Sequence, residues 1–255
     1  MKEEYLAIIE KTLDEVLPKP VERPAELSEA MRYAVGTGGK RIRPLICLAS
    51  AVAVGGNAED ARYPAAAIEL LHNYTLVHDD LPAMDNDTER RGRPSVWAKY
   101  GEANAILAGD ALQALAFKAA AMASRNVGRI VAELAAAGVG VVQGQIEDIA
   151  AGEKDVDFIY RHKTADLFMA AAVMGALAGG GDDRAVESLR AYALSLGLAF
   201  QYEDDLLDGD SPYGREETER RVRDATAAAS AALEGLPGDA SPLAVFAQSL
   251  VGRKK

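Results

Sequence analysis

The run from Pro64 to Asp85 reads PAAAIELLHNYTLVHDDLPAMD. Pro64 suits the first turn of a helix, where a missing N–H costs nothing. Ala65, Ile68, Leu71, Tyr74, Thr75 and Val77 then lie along a helix to about His78. That helix delivers Asp79 and Asp80 at its C-terminal end before Pro82 disturbs it. Asp85 follows, and Arg90 and Arg91 open a stretch that Gly92 and Pro94 mark as a loop. Carboxylate oxygens are hard ligands suited to Mg²⁺. A guanidinium fork suits phosphate oxygens. Side by side they point to a metal-bridged phosphate or diphosphate.

An Asp-rich stretch alone is commonly a solvated loop. A second cluster, Asp204-Asp205-Leu206-Leu207-Asp208, argues against that here. On a helix Asp204 and Asp208 share a face, and Phe200, Leu206 and Leu207 imply that this helix is partly buried. Buried carboxylates need a counter-charge. No lysine stands nearby in sequence, and a metal ion is the simplest partner.

Working outward, composition favours helices: 49% of the 255 residues are hydrophobic and 6% aromatic. Helical spacing covers 3–17, about 26–34, 45–54, 95–100, 102–123, 128–151, 158–177, 184–208, 215–234 and 241–251. No strand-like alternation of useful length and no repeat stand out. The expected fold is a single all-α domain over residues 1–255. The net charge of −11 argues against nucleic acid. Pro44–Ala58 and Leu167–Gly181 are the longest uncharged runs, fifteen residues each, short of the roughly twenty a membrane span needs. Met1-Lys2-Glu3-Glu4 opens without the pattern of a secretory signal. Cys47, the single cysteine, reads as core packing. The expectation is a cytoplasmic protein with no transmembrane segment.

Gly36-Thr37-Gly38-Gly39 followed by Lys40, Arg41 and Arg43 places three bases between a glycine-rich loop and an apolar helix. Such a loop lets backbone N–H groups reach an anion, so a second phosphate site is one reading and a solvated basic turn the other. It lacks Walker A spacing. His72 lies about two turns before Asp79 and can look into the same cavity, whereas His78 reads as packing. No Cys/His spacing suggests zinc. Lys163-Thr164 precedes the second uncharged run.

Together, Gly39-Lys40-Arg41-Ile42-Arg43-Pro44, Asp79-Asp80-x-x-x-x-Asp85 with Arg90-Arg91, Lys163-Thr164, Phe200-Gln201 and Asp204-Asp205-x-x-Asp208 resemble the trans-isoprenyl diphosphate synthases. The resemblance covers about residues 26–208, with five motifs in order. It implies an antiparallel helical bundle around a deep central cavity, usually homodimeric. The implied reaction is ionisation of an allylic diphosphate, attack on the cation by isopentenyl diphosphate, and loss of a proton. It implies Mg²⁺ held by Asp79, Asp85 and Asp204, with Asp80 and Asp208 in support and Asp205 among the catalytic carboxylates. Arg90, Lys163 and Gln201 would hold the allylic diphosphate, and Lys40, Arg43, His72 and Arg91 isopentenyl diphosphate. Thr164 and Gln201 would steady the cation. Tyr74, with Thr75 beside it, would sit deeper along the helix and limit product length. The family pattern at that position favours a C15 product, with C20 as the alternative.

One departure stands out. The family carries lysine-bearing segments after the second Asp cluster. This chain has no lysine between Lys163 and Lys254, and only Gly209–Gly214 separates the cluster from the next helix. The region after 208 is shortened, which leaves open a weakly active or non-catalytic partner subunit. A class I terpene cyclase fits less well, since Lys40 and Arg43 imply a second substrate. A calcium loop fits poorly. Starting at Asp85 it would put Arg90 at the glycine position and Val96 at the bidentate one. Starting at Asp208 it would contain Pro212 and Tyr213.

Overall fold

The computed structural model describes residues 2–249 and is helical almost throughout. The long helices are α1 (Lys2–Val16), α2 (Ala25–Gly36), α3 (Ile42–Ala53), α4 (Arg62–Asp79), α6 (Glu102–Ala120), α7 (Val127–Ile149), α9 (Asp166–Gly179), α10 (Asp183–Asp208) and α11 (Arg215–Ala232). Shorter ones are α5 (Val96–Tyr100), α8 (Val156–Ile159) and α12 (Ser241–Gln248). The last turn expected at 250–251, and Lys254, lie outside the described residues.

The bundle is organised on α9. Every residue from Leu167 to Ala178 is buried, which explains why that stretch carries no charge. It packs on α3, α10 and α7, while α4 lies along α6 and α11 along α10. Small residues set these distances. A Cβ at Gly179 would come within 2.6 Å of the Ala51 carbonyl on α3. Cys47 is fully buried beside this contact, and burial pushes its thiol pKa up.

Two features were not expected. Glu89–Arg90 (β1) and Arg93–Pro94 (β2) form a small antiparallel ribbon. Its turn residues Arg91 and Gly92 both have positive φ, 55° and 73°, the conformation of a tight two-residue hairpin. The helix expected over 158–177 is interrupted by a π-helical turn, Tyr160–Ala165. Such turns are often functional. Two glycines admit it. A Cβ at Gly197 on α10 would come within 2.7 Å of Ala165 Cα, and one at Gly144 on α7 would collide with the Lys163 backbone.

By length and hydropathy α7 could cross a membrane, yet only 39% of its apolar window is buried. Val139, Val142, Ile146 and Ile149 of α7 are exposed, and with Ile106 and Leu107 of α6 they give the bundle a set of exposed apolar side chains.

Candidate active site

The start of α3, the middle of α4, the ribbon turn and α10 enclose a cavity of about 760 Å³. Lys40, Arg43, His72, Arg90 and Arg91 line it together with Phe200 and Asp204. The predicted basic residues thus converge although they come from three separate stretches of sequence. Arg43 is the most telling. Its Nε is buried with no hydrogen-bond partner, and its guanidinium lies 4.8 Å from the Phe168 ring centroid. Burial lowers its pKa to about 10, so it stays charged. A buried N–H without an acceptor is costly, and an entering anion would satisfy it. Burial first, and then Arg43, Arg91, Arg90 and Arg41, hold His72 well below the ordinary histidine range. His72 is therefore a neutral donor at pH 7.

Arg41 behaves differently from its neighbours. It takes a left-handed conformation at the start of α3, with φ of 49°. Its guanidinium is bound by Glu69 at 2.7 Å, Glu10 at 2.8 Å and the Val35 carbonyl at 2.9 Å. It is a scaffold residue. The glycine-rich loop packs against one of the cavity's arginines. The Gly38 carbonyl accepts a bond from Arg91 Nη1. A Cβ at Gly39 would stand 2.7 Å from the same guanidinium. The missing side chain at Gly39 makes room for Arg91 beside the cavity that both line.

Asp79 ends α4 in a half-buried position, and its pKa rises to about 6. Burial is the main cause; Asp85 and Asp80 add to it, while Lys163 and Arg90 oppose it. Asp85 is exposed, and its N–H donates to the Asp79 carbonyl at 2.9 Å. Asp80 is placed differently from Asp79. Its side chain is only 3% exposed and turned to Arg90, whose Nε lies 2.7 and 3.0 Å from its two oxygens and whose Nη2 lies 2.5 Å from one of them. Both oxygens accept from Arg90, so Asp80 positions that guanidinium in this arrangement.

At the other end of the site, Asp204 lines the cavity and Asp208 is exposed at the end of α10. Asp205 is buried, accepting from the Tyr160 hydroxyl at one oxygen and from Gln201 Nε2, at 3.0 Å, at the other. Burial and then the bond to Asp205 push the Tyr160 pKa up, so Tyr160 is a donor. The π-turn carries Lys163 and Thr164. Lys163 Nζ sits 2.5 Å from Asp148 on α7. Thr164 Oγ1 donates to Gln201 Oε1 at 2.9 Å. Neither Asp148, on α7, nor Tyr160, a single turn before Lys163, belongs to the motifs that carry the family resemblance.

Beneath Asp79 lies a second, largely apolar cavity of about 360 Å³. Tyr74, Thr75 and His78 of α4 line it, with Ile106 of α6 and Val141, Gln145, Ile146 and Ile149 of α7. The Tyr74 ring meets His78 edge-on at 5.3 Å. His78 Nε2 in turn lies 3.0 Å from the Ile106 carbonyl, in a packing role.

A metal-ion fit can be judged from the donors. Among the described residues no three Asp, Glu, His or Cys side chains form a closed metal site. Mg²⁺ does not require one, because it commonly uses one or two carboxylates plus substrate phosphate oxygens. The cavity-facing donors are all carboxylates, and Asp79 is a carboxylate whose buried charge lacks sufficient compensation. The residues fit the ion.

The polyprenyl synthetase family model matches residues 24–228. The chain belongs to this family. It is 44% identical over 218 residues to a heterodimeric geranylgeranyl pyrophosphate synthase large subunit of Arabidopsis thaliana, covering 79% of this chain and 58% of that one. It is 46% identical over 214 residues to a geranylgeranyl pyrophosphate synthase of Capsicum annuum, covering 78% and 57%. The chain thus matches under three-fifths of these relatives' length. Among solved structures, an FPP/GFPP synthase from Zymomonas mobilis superposes with a TM-score of 0.88 at 33% identity, covering 99% of this chain and 100% of that one. The helical isoprenoid-synthase fold expected from the motifs is therefore the observed fold. The expected cytoplasmic location is overturned, because both plant relatives are chloroplastic enzymes by name.

Proposed function

We propose that this chain is a trans-prenyl diphosphate synthase that joins isopentenyl diphosphate head to tail to an allylic diphosphate. The observation that carries this reading is the basic cavity with its buried, unsatisfied Arg43 Nε, facing Asp204 across the same space. Lys40, Arg43, neutral His72 and Arg91 suit one diphosphate. Arg90 and Lys163 suit the other, with Asp79, Asp85, Asp204 and Asp208 as carboxylates for Mg²⁺. When bound, the ion would act as a Lewis acid on the leaving diphosphate. The chain's own residues do the rest. Arg90 and Lys163 stabilise charge developing on the departing oxygens. The low-dielectric walls at Phe168 and Phe200 keep water from the cation. Thr164 and Gln201 offer oxygen dipoles. The departing diphosphate can take the proton.

The relatives support a C20 product, since those named are geranylgeranyl synthases. Tyr74 supports a C15 product as a second reading, because its ring stands in the apolar cavity below Asp79. The exposed apolar residues of α6 and α7 support a homodimer, with a second copy covering them.

The test is product analysis of purified protein with Mg²⁺, isopentenyl diphosphate and, separately, C5, C10 and C15 allylic diphosphates. Elongated product that disappears in Asp79→Ala supports the reading. A folded protein that elongates none of them would point instead to a subunit needing a partner, with the short 209–214 connection as the reason.

A further inference from the structure

The shortened region after Asp208 folds α11 back along α10 and builds a small second core of Ile159, Tyr160, Tyr202 and Val222. Tyr213 packs against it, and Arg221 lies 3.8 Å from the Tyr213 ring centroid. Three tyrosine rings meet edge-to-face: Tyr160 with Tyr202 at 5.7 Å, Tyr160 with Tyr213 at 6.4 Å, and Tyr202 with Tyr213 at 6.1 Å. Tyr160 is the member whose hydroxyl reaches Asp205.

We propose that Tyr160 is a positioning residue that, through Asp205 and Gln201, fixes the direction of the Thr164 hydroxyl. This rests on the synthase reading. The chain of donors is continuous. Tyr160 donates to one Asp205 oxygen, Gln201 Nε2 donates to the other at 3.0 Å, and Thr164 donates to Gln201 Oε1 at 2.9 Å. A hydroxyl has one hydrogen. With that hydrogen given to Gln201, Thr164 has only its oxygen lone pairs to present elsewhere, the polarity that stabilises an allylic cation. The arrangement holds only while Gln201 keeps its oxygen toward Thr164. The two ends of a glutamine amide are nearly the same shape, so hydrogen bonds alone choose between them. Asp205 makes that choice, and Tyr160 holds Asp205. Without the Tyr160 hydroxyl, Asp205 can turn and Gln201 can flip. The Gln201 NH₂ then donates to Thr164, and the Thr164 hydrogen is released toward the cation.

The loss should fall on the charge-developing step rather than on diphosphate binding. Tyr160→Phe keeps the ring packing and removes only the hydroxyl. We expect kcat to fall about tenfold, with KM for both diphosphates within about twofold; the melting temperature should drop by a few degrees, because a buried Asp205 oxygen loses its donor. Adding Tyr160→Phe to Thr164→Val should cost nothing further, because both act through one hydroxyl. Tyr213→Phe is the control. It lies in the same cluster, but its hydroxyl donates to Asp157 at 2.6 Å, so kcat should stay at the wild-type level. A second readout does not need turnover. In protein labelled with ¹⁵N-glutamine, the Gln201 side-chain amide signal, identified by its loss in Gln201→Leu, should move and exchange faster in Tyr160→Phe but not in Tyr213→Phe. Wild-type kcat in Tyr160→Phe, a loss confined to KM, multiplicative losses in the double variant, or an unmoved Gln201 signal would overturn the proposal. If the wild type elongates nothing, the synthase reading fails and the amide signal still decides the network.

Discussion

The two Asp-Asp pairs, Asp79-Asp80 and Asp204-Asp205, lie at the C-terminal ends of α4 and α10 and divide their labour the same way. In each, the first aspartate faces a cavity and the second is buried with both oxygens bonded to the scaffold. The bonding groups differ. Asp80 is held by a cation, Arg90, and Asp205 by the neutral groups of Tyr160 and Gln201. A carboxylate tied to an arginine fixes a charge that itself faces the substrate. One tied to a phenol and an amide fixes only the direction of a dipole. The first pair therefore governs charge and the second governs orientation, and substitutions in the two should fail in different ways.

The largest effect is expected where a charge is left behind. In Arg90→Leu, Asp80 stays buried without its partner, which should cost roughly 3 kcal/mol of stability at neutral pH. Chemical denaturation would measure it. Adding Asp80→Asn should recover most of that stability without restoring activity, because Arg90 is also part of the basic cavity. A single variant as stable as the wild type would break the comparison, since Asp80 would then be no more demanding than Asp205.

The next effect has the opposite sign. Asp79 is the cavity-facing member of its pair, and burial raises its pKa from 3.8 to about 6. Between those values the folded chain keeps a proton that the unfolded chain has released. Stability of the metal-free protein should therefore fall as pH rises from about 4 to about 6 and remain lower above that. Asp79→Asn should abolish this fall and stabilise the metal-free protein at pH 7 by up to about 3 kcal/mol. It should also abolish elongation. Thermal melts of the two proteins across pH 4–8 would check both the slope and the offset. Parallel curves would mean that the Asp79 charge is already compensated.

A smaller change is expected at Asp148, which holds Lys163 at 2.5 Å. Asp148→Asn frees the lysine to approach Asp79, whose charge it already offsets. The KM for the allylic diphosphate should rise severalfold, on the scale of a single partly exposed ion pair, while the KM for isopentenyl diphosphate stays put. Steady-state kinetics with each substrate varied in turn would separate the two.

The sequence makes the cavity-facing carboxylates legible and hides how each pair is held, for a physical reason. Helical spacing exposes Asp79 and Asp204 because each closes a long periodic helix, and it exposes Lys40 and Arg43 because bases beside an apolar helix are conspicuous. It does not expose the Asp80–Arg90 pair, because that bond depends on the irregular 81–89 loop, which is folded back on itself by bonds such as Asn86 N–H to the Leu81 carbonyl at 3.1 Å. Nor does it reveal the π-turn. Gly144 and Gly197 make room for it from two other helices, and its own residues, Tyr160–Ala165, read as ordinary helix. Arg41 illustrates the same limit. It sits between two cavity-facing bases in sequence, and Glu10 and Glu69 pull it into the scaffold.

The smallest expected effect on stability carries the most information about product. Tyr74 lies five residues before Asp79, about 7.5 Å deeper along α4 at 1.5 Å per residue. It stands in the apolar cavity that a growing chain would enter. Tyr74→Leu conserves much of the apolar contact and should cost only about 1 kcal/mol, while opening the space its ring fills. If the ring stops the chain, the wild type ends at C15 and the variant extends the product by at least one isoprene unit. If the chain turns away above Tyr74, the wild type already makes C20, as the plant relatives suggest, and the variant changes nothing. Chromatography of the dephosphorylated products separates the outcomes. It also extends the comparison of the two clusters. The first Asp pair stands at the mouth of a cavity that can set length, whereas the second pair orients a dipole, so no substitution at Tyr160 or Asp205 should alter product length.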